Sequence, residues 1–309
     1  MKKIIILLIF LMLTILPISG ASGYSIPSSA GESGLAFLKV GIGGRNLAMA
    51  DAGVASAYDA TAVYYNPALL PAVESRGLFF SYHNFIQDIN QQYVGGNFQW
   101  LGSNYFGFGI NLFTVPDIER RTSPTAQPLS QFDSRDFSIG LSWGRYFTDK
   151  LSIGLGAKMV YEKIDVEDLS GYAADFGMTY NIMHNLRAAA VAKNVGPQVK
   201  FIEEEFDLPR EFRLGFAYSP EKELLSGHWL AIFDLSKSID SDLRGLLGAE
   251  YSYNDILFPR IGYAFNYSDK NISAGFGLRY QLYSFDYAFT PYSSDLGNSH
   301  HLTVGVWFK

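Results

Sequence analysis

The sequence predicts an all-β fold: a transmembrane antiparallel β-barrel of about fourteen strands, with an N-terminal segment lodged in its lumen. Three observations lead there. From Arg76 onward, apolar residues recur with a period of two rather than 3.6. Short connections alternate with longer ones along the same stretch. Aromatic residues make up 16% of the chain, with 20 Tyr, 24 Phe and 4 Trp, a content suited to strands and to the aromatic girdles of membrane barrels.

Residues 1–21 read as a secretory signal peptide. Lys2 and Lys3 begin it, Ile4 to Leu16 form its apolar run, and Ser19-Gly20-Ala21 offers a small-residue cleavage site. The run is too short to span a bilayer comfortably as a helix. The chain has no Cys, which excludes disulfide frameworks, thiolate zinc sites, a Cys nucleophile and a lipid-bearing N-terminal Cys. A net charge of −6 leaves no basic footprint for nucleic acid. No cofactor or metal is expected.

Residues 22–75 form the second unit, an internal plug or hatch. Its heart is Gly34 to Pro71, rich in Gly and Ala and poor in charge, without the alternation of a barrel strand. Asp59 can cap a helical turn over residues 60–64. Asn66 precedes Pro67 and is biased away from helix, so the turn should end by Tyr65. Residues 52–57 read as a short strand. The plug candidates are Phe37, Gly41, Gly43, Arg45, Met49, Asp59, Asn66 and Pro67. Phe37 and Met49 offer apolar anchors, with Leu38, Leu47, Val63 and Tyr64 beside them. The Gly41-Ile42-Gly43-Gly44 run lacks the third Gly and the βαβ setting of a dinucleotide loop.

Residues 76–309 form the barrel. Strands are expected near 76–85, 91–100, 104–113, 135–146, 151–161, 172–180, 186–193, 211–218, 228–235, 243–253, 256–264, 271–280, 283–289 and 299–308. In one of them Leu151, Ile153, Leu155, Ala157 and Met159 share a face against Ser152, Gly154, Gly156 and Lys158. The apolar faces carry no charge, as a lipid-facing surface requires, since Lys or Arg at midplane costs about 2–4 kcal/mol. The opposite faces are too small and Gly-rich for the solvated side of a sandwich. Residues 114–134, 162–171, 194–210, 236–242 and 290–298 read as the longer loops. Short turns on the other side, together with an even strand count, put both termini in the periplasm.

Charges at lumen parity are Lys158, Asp175, Arg187, Lys193, Arg213, Asp234, Arg244, Glu250, Arg260, Arg279 and Asp286. Buried charges persist when paired, so they read as a lattice tying wall to plug, the alternative being a polar permeation path. Of the five histidines, none stands in a metal-ligand or H-E-x-x-H spacing, and His300-His301 begins the last strand, in or near a loop. Nothing points to catalysis.

Phe37-Leu38, Gly41, Gly43, Arg45, Ala48-Met49, Asp59-Ala60 and Asn66-Pro67-Ala68 resemble the N-terminal signature of the PorV/PorQ family. Residues 154–158, Glu162-Lys163-Ile164, Ala174-Asp175, Asn194-Val195-Gly196-Pro197 and Leu208-Pro209 extend the resemblance over most of the mature chain. It departs at Leu69, where many relatives have Gly, and at Ala50-Asp51, where a Gly pair is common. The resemblance implies a FadL-like outer-membrane barrel with its N-terminal segment inside. It also implies a role in type IX secretion or surface attachment, with secreted cargo or secretion-system proteins as partners alongside outer-membrane lipid. FadL itself passes hydrophobic molecules, so the alternative is a diffusion channel for small hydrophobic molecules, and a third option is a structural barrel with no transport role.

Overall fold

The computed structural model describes residues 31, 33–73, 76–124, 126–223, 226–293 and 296–308. The leader assigned to residues 1–21 lies outside them.

Strands β1 (Arg76–Asn84), β2 (Asn90–Trp100), β3 (Asn104–Arg120), β4 (Ser130–Tyr146), β5 (Leu151–Ile164), β6 (Glu167–Met183) and β7 (Leu186–Val195) follow one another around the wall. A small hairpin of β8 (Val199–Phe201) and β9 (Glu204–Phe206) interrupts them. The wall resumes with β10 (Glu211–Tyr218), β11 (Gly227–Ser238), β12 (Arg244–Tyr253), β13 (Leu257–Phe265), β14 (Ile272–Tyr280), β15 (Tyr283–Pro291) and β16 (Asn298–Phe308). Each wall strand pairs antiparallel with its neighbours in sequence, and β1 pairs with β16, closing a fourteen-strand barrel. Closure leaves no open edge, the condition for sheet in hydrocarbon.

The alternation read from sequence sets the facing. Leu78, Phe80 and Tyr82 of β1 and Leu257, Ile261 and Tyr263 of β13 point outward and are exposed, while Phe79, Ser81 and His83 are buried inside. Exposed Trp100, Phe147, Tyr180, Tyr253, Tyr280, Tyr283 and Phe308 gather at the end that carries the short turns, as an interfacial aromatic belt does. In strands β11 and β12 apolar residues occur on both faces, because Ile232 and Leu246 turn inward and bury themselves in a cluster with Met49 and Val54.

Two expectations about the loops are corrected. Residues 114–134 and 162–171 are mostly strand: β3, β4 and β6 each run 17 residues and β5 runs 14. A tilted membrane strand needs only about 9–11, so these two hairpins continue beyond the others at the loop end. Once clear of lipid, their outward faces lose the demand for apolar residues, and the alternation used to delimit them fades.

The chain's first thirty residues and Lys309 lie outside the described residues, so the placement of the ends rests on residues 33 and 308. Phe308 pairs with Arg76 at the short-turn end. Ser33 instead bridges to Asp207 and donates to Asp240, both at the loop end. The described ends therefore lie at opposite ends of the barrel. An even strand count fixes only the two ends of the wall, and residues 33–73 add one further traverse through the lumen.

Candidate functional site: the lumen and the segment within it

Residues 33–73 run from the loop end to the short-turn end as a chain of short pieces. These are a 3-10 turn at Ala36–Lys39, helix α1 (Gly44–Ala48), a series of turns, helix α2 (Ala62–Tyr65) and a 3-10 turn at Pro67–Ala72. Nearly all of its side chains are buried. At the loop end, Phe37 packs on Phe113 with ring centroids 6.4 Å apart, within a cluster that includes Leu38, Val160, Leu169 and Leu208. Lys39 Nζ reaches Asp240 at 2.5 Å.

Farther in, charge fixes the segment to one side of the wall. Arg45 Nε donates to Glu250 Oε2 at 2.9 Å and Nη2 to Glu250 Oε1 at 3.1 Å, a two-pronged bond of the kind guanidinium geometry favours. Arg45 Nη1 also donates to the Ser56 carbonyl at 2.9 Å, and its guanidinium lies 3.9 Å from the Tyr58 ring centroid. Tyr58 donates to Glu250 Oε1 at 2.6 Å. Glu250 accepts again from Arg260 Nε at 2.6 Å, and Arg260 Nη1 continues to Asp286 at 2.5 Å. A second knot joins Arg213 Nη2 to Asp51 Oδ2 at 2.9 Å, with Tyr65 donating to Asp51 Oδ1 at 2.6 Å and Arg213 Nε 2.8 Å from Glu211.

On the opposite side the fit is steric. A Cβ on Gly144 would lie 2.5 Å from the Pro67 carbonyl oxygen, and one on Gly154 would strike the Pro67–Ala68 backbone. Ser152 Oγ donates to the Ala68 carbonyl at 2.6 Å. Asn66 closes the corner: its Oδ1 accepts from Ala68 N at 3.0 Å and its Nδ2 donates to the Val54 carbonyl at 3.0 Å.

The named plug candidates all lie along this path. Gly41 faces the Asp51 carboxylate, where a Cβ would collide. Gly43 precedes α1 with φ 80°, a conformation that favours glycine. Met49 packs over Gly248 and Gly262. Asp59 accepts from Thr61 N at 2.8 Å and from the Thr61 hydroxyl, but the residue that precedes α2 (Ala62–Tyr65) is Thr61, and no side chain caps the helix; Asp59 folds the turn ahead of it instead of capping it. Residues 52–57 are turns, not the expected strand. The amides of Gly53 and Val54 both donate to Asp234 Oδ2, at 2.8 and 3.1 Å, and so cannot enter a ladder.

The lumen charges divide into two groups. Lys158–Asp175 (2.8 Å), Arg213, Glu250, Arg260 and Asp286 sit in ion pairs. Lys193 is fully buried, 3.7 Å from Glu211 and 3.8 Å from the Tyr64 ring centroid. Asp234 binds backbone rather than a cation. Arg187, Arg244 and Arg279 form no ion pair among the described residues; Arg187 meets Asn181, Arg244 the Tyr267 ring, and Arg279 the rings of Phe258 and Trp307. Asp175 also accepts from Asn194 N at 2.8 Å, spanning a register shift between β6 and β7.

Asp51, Tyr58, Tyr65 and Glu211 belong to the network but were not singled out from sequence. The two tyrosines carry no signal that separates them from 18 others. Glu211 opens β10 at lumen parity, so the rule that found Arg213 could have found it too. His301 does not lie in a loop. It is buried in β16 directly opposite His83, since Ser299, His301 and Thr303 continue the polar inner face. No group of three or more His, Asp or Glu among the described residues is placed to hold a metal ion.

Solved structures share this architecture. The Pseudomonas putida toluene transporter TodX aligns with a TM-score of 0.59 at 15% identity, covering 86% of this chain and 96% of its own. A CymD monoaromatic hydrocarbon channel aligns at 0.58 and 13%, covering 87% and 98%. A Pseudomonas aeruginosa FadL homologue aligns at 0.53 and 11%, covering 86% and 97%. At such identities the likeness is one of fold, that of FadL-like outer-membrane barrels. No curated protein sequence matches this chain. A family model described as type IX secretion system protein PorV matches residues 29–220, from the inner segment through the first eight strands of the wall. The chain therefore belongs to the PorV family of outer-membrane barrels.

Proposed function

We propose that this protein is an outer-membrane accessory of type IX-like protein secretion or surface attachment, and that it works as a closed barrel. The short-turn end faces the periplasm and the loop end faces outward, where the long β3–β4 and β5–β6 hairpins and the β8–β9 hairpin offer the surface for secreted cargo or secretion-system proteins. Residues 33–73 serve as a plug. One observation carries the closed-barrel reading: the segment is fixed to the wall by two buried ionic knots, Arg45–Glu250 and Asp51–Arg213. Removing one partner from such a pair typically costs about 3–5 kcal/mol, so a conduit that must clear this segment faces a large barrier. Asn66-Pro67, buried and bonded on both amide atoms, reads as a fixed corner rather than a hinge. The test is in the native cell. Shortening the β3–β4 and β8–β9 hairpins should reduce surface display of exported proteins and abolish recovery of a secretion-system protein with the purified barrel. Intact display with both hairpins shortened would refute the proposal.

The second reading is a diffusion channel for small hydrophobic molecules, with residues 34–71 as its hatch. The FadL-like architecture favours it, since one neighbour of that fold is described as a monoaromatic hydrocarbon channel and another as a toluene transporter. The charged inner wall opposes it, because an apolar solute would have to pass desolvated arginines. Vesicles holding full-length protein and protein lacking residues 34–71 should take up toluene differently if the segment gates a path; equal uptake removes the hatch.

A further inference from the structure

The outward face of the wall is not evenly covered. Along β7 it carries Ala188, Ala190 and Ala192, three methyl groups in a row. The residues beside them are larger. Phe176 and Met178 of β6 stand opposite Ala192 and Ala190, and so do Phe212 and Leu214 of β10. All four are exposed. Side chains on one face of a sheet project in the same direction, and a methyl projects far less than these four. Strand β7 is therefore the floor of a trough between two apolar banks. A cavity of about 540 Å³ lies there and reaches Leu235 and Lys237 of β11.

Two charged residues border the cavity, and one of them faces away from it. Arg213 turns its guanidinium to the lumen side, paired with Asp51 and Glu211. Lys237 is the last outward-facing residue of β11 and lies opposite Phe212, at the loop end of the trough. It is exposed and forms no ion pair among the described residues. Its one described bond runs from Nζ to the Ser241 carbonyl at 2.8 Å, which leaves two N–H donors. In the adjoining loop, Asp240 is held by Lys39 and Ser238, and no ion pair among the described residues joins Asp242 to Lys237. A lysine on the lipid face is costly at midplane and tolerated at the interface, where its stem lies along apolar surface and its head reaches the polar layer.

We propose that this trough seats an acyl chain of an anionic lipid from the leaflet at the loop end, with the lipid's phosphate on Lys237. The arrangement of charge carries the choice of occupant: an apolar trough topped by one outward cation matches an acyl chain below a phosphate. The closed wall also offers no free strand edge for a protein to pair with. Behind the floor sits the plug. Asn66 Nδ2 donates to the Met178 carbonyl at 3.5 Å, and Arg213 Nη1 donates to the Asp51 carbonyl at 3.0 Å. A seated chain thus packs the wall from outside where the plug packs it from inside. The proposal holds whether the barrel serves secretion or diffusion, since its contacts lie on the lipid face.

Native mass spectrometry of the full-length protein in a neutral detergent tests this, with dimyristoyl phosphatidylglycerol or dimyristoyl phosphatidylcholine added at equal concentration. One phosphatidylglycerol per barrel should stay bound, with about fivefold preference over phosphatidylcholine, the scale of one basic residue acting on an anionic lipid. Lys237→Gln should remove that preference. The double variant Ala190→Leu/Ala192→Leu fills the trough and should abolish retention of both lipids. Ala274→Leu, on the outward face of β14, should leave retention unchanged. Absence of retained lipid, equal retention of the two lipids, a preference that survives Lys237→Gln, or retention that survives the filled trough would overturn the proposal. So would an equal loss in Ala274→Leu. A dimer or a bound protein that disappears when the trough is filled would overturn it too, since protein would then be the occupant. Should the double variant fail to give the heat-modifiable band of a folded barrel, Ala190→Leu alone carries the test: retention should fall, and unchanged retention there would overturn the proposal equally.

Discussion

The two sides of the lumen wall hold the same inner segment by different means. Strands β3–β6 receive residues 63–71 with Gly107, Gly144, Gly154 and Gly177, and no described ion pair joins them to the segment. Strands β10–β15 also use glycine for close approach, Gly248 and Gly262 under Met49 and Gly275 under Ala48, but add Arg213, Asp234, Glu250, Arg260 and Asp286. The difference is one of chemistry and of consequence. Steric fit makes a floor that tolerates no added atom. Charge makes a latch whose strength depends on every partner being present. A wall built only of glycine would let the segment slide; a wall built only of charge would leave it loosely packed.

The comparison can be broken at its strongest point first. Glu250→Leu leaves Arg45 and Arg260 buried without their shared acceptor. A loss of about 3–5 kcal/mol is expected, read as a lower urea midpoint for unfolding in detergent and as new protease cleavage within residues 44–58. The steric side is tested by Gly154→Val, whose side chain meets the Pro67–Ala68 backbone. Overpacking typically costs about 1–3 kcal/mol, and cleavage should shift to residues 63–73 while the Arg45–Glu250 end stays protected. Tyr58→Phe removes a single donor to Glu250, at about 1.5–3 kcal/mol for a bond to a charged acceptor, and a double-mutant cycle with Arg45→Met should show coupling. The contrast is sharpened by an exposed pair at the loop end: Arg135→Ala breaks its 3.1 Å bridge to Asp133 and should change stability by no more than about 0.5 kcal/mol.

The wall was legible in the sequence because lipid imposes a rule that every spanning strand obeys. Leu151, Ile153 and Leu155 on one face with Ser152 and Gly154 on the other already state which way β5 points. The rule lapses where lipid ends, so the extra length of β3 through β6 was hidden. The inner segment was recognisable as something other than strand from its glycines and its Asn66-Pro67 corner, which ends the helical turn at Tyr65. Its conformation over residues 52–57 was not legible, since it depends on Asp234, about 180 residues away. Parity found most of the lumen charges but could not pair them, because pairing depends on depth and on which strands face each other across the barrel. Arg187, Arg244 and Arg279 obey the same parity as Arg260 yet meet amides and rings instead of carboxylates.

The central claim is that residues 33–73 close the barrel through the latch on β10–β15. Single-channel conductance of the reconstituted full-length protein tests it most directly. The account predicts no steady conductance for the unaltered protein and discrete openings once Glu250→Leu releases the latch or residues 34–71 are removed. A steady open conductance in the unaltered protein, equal to that of the protein lacking residues 34–71, would contradict it.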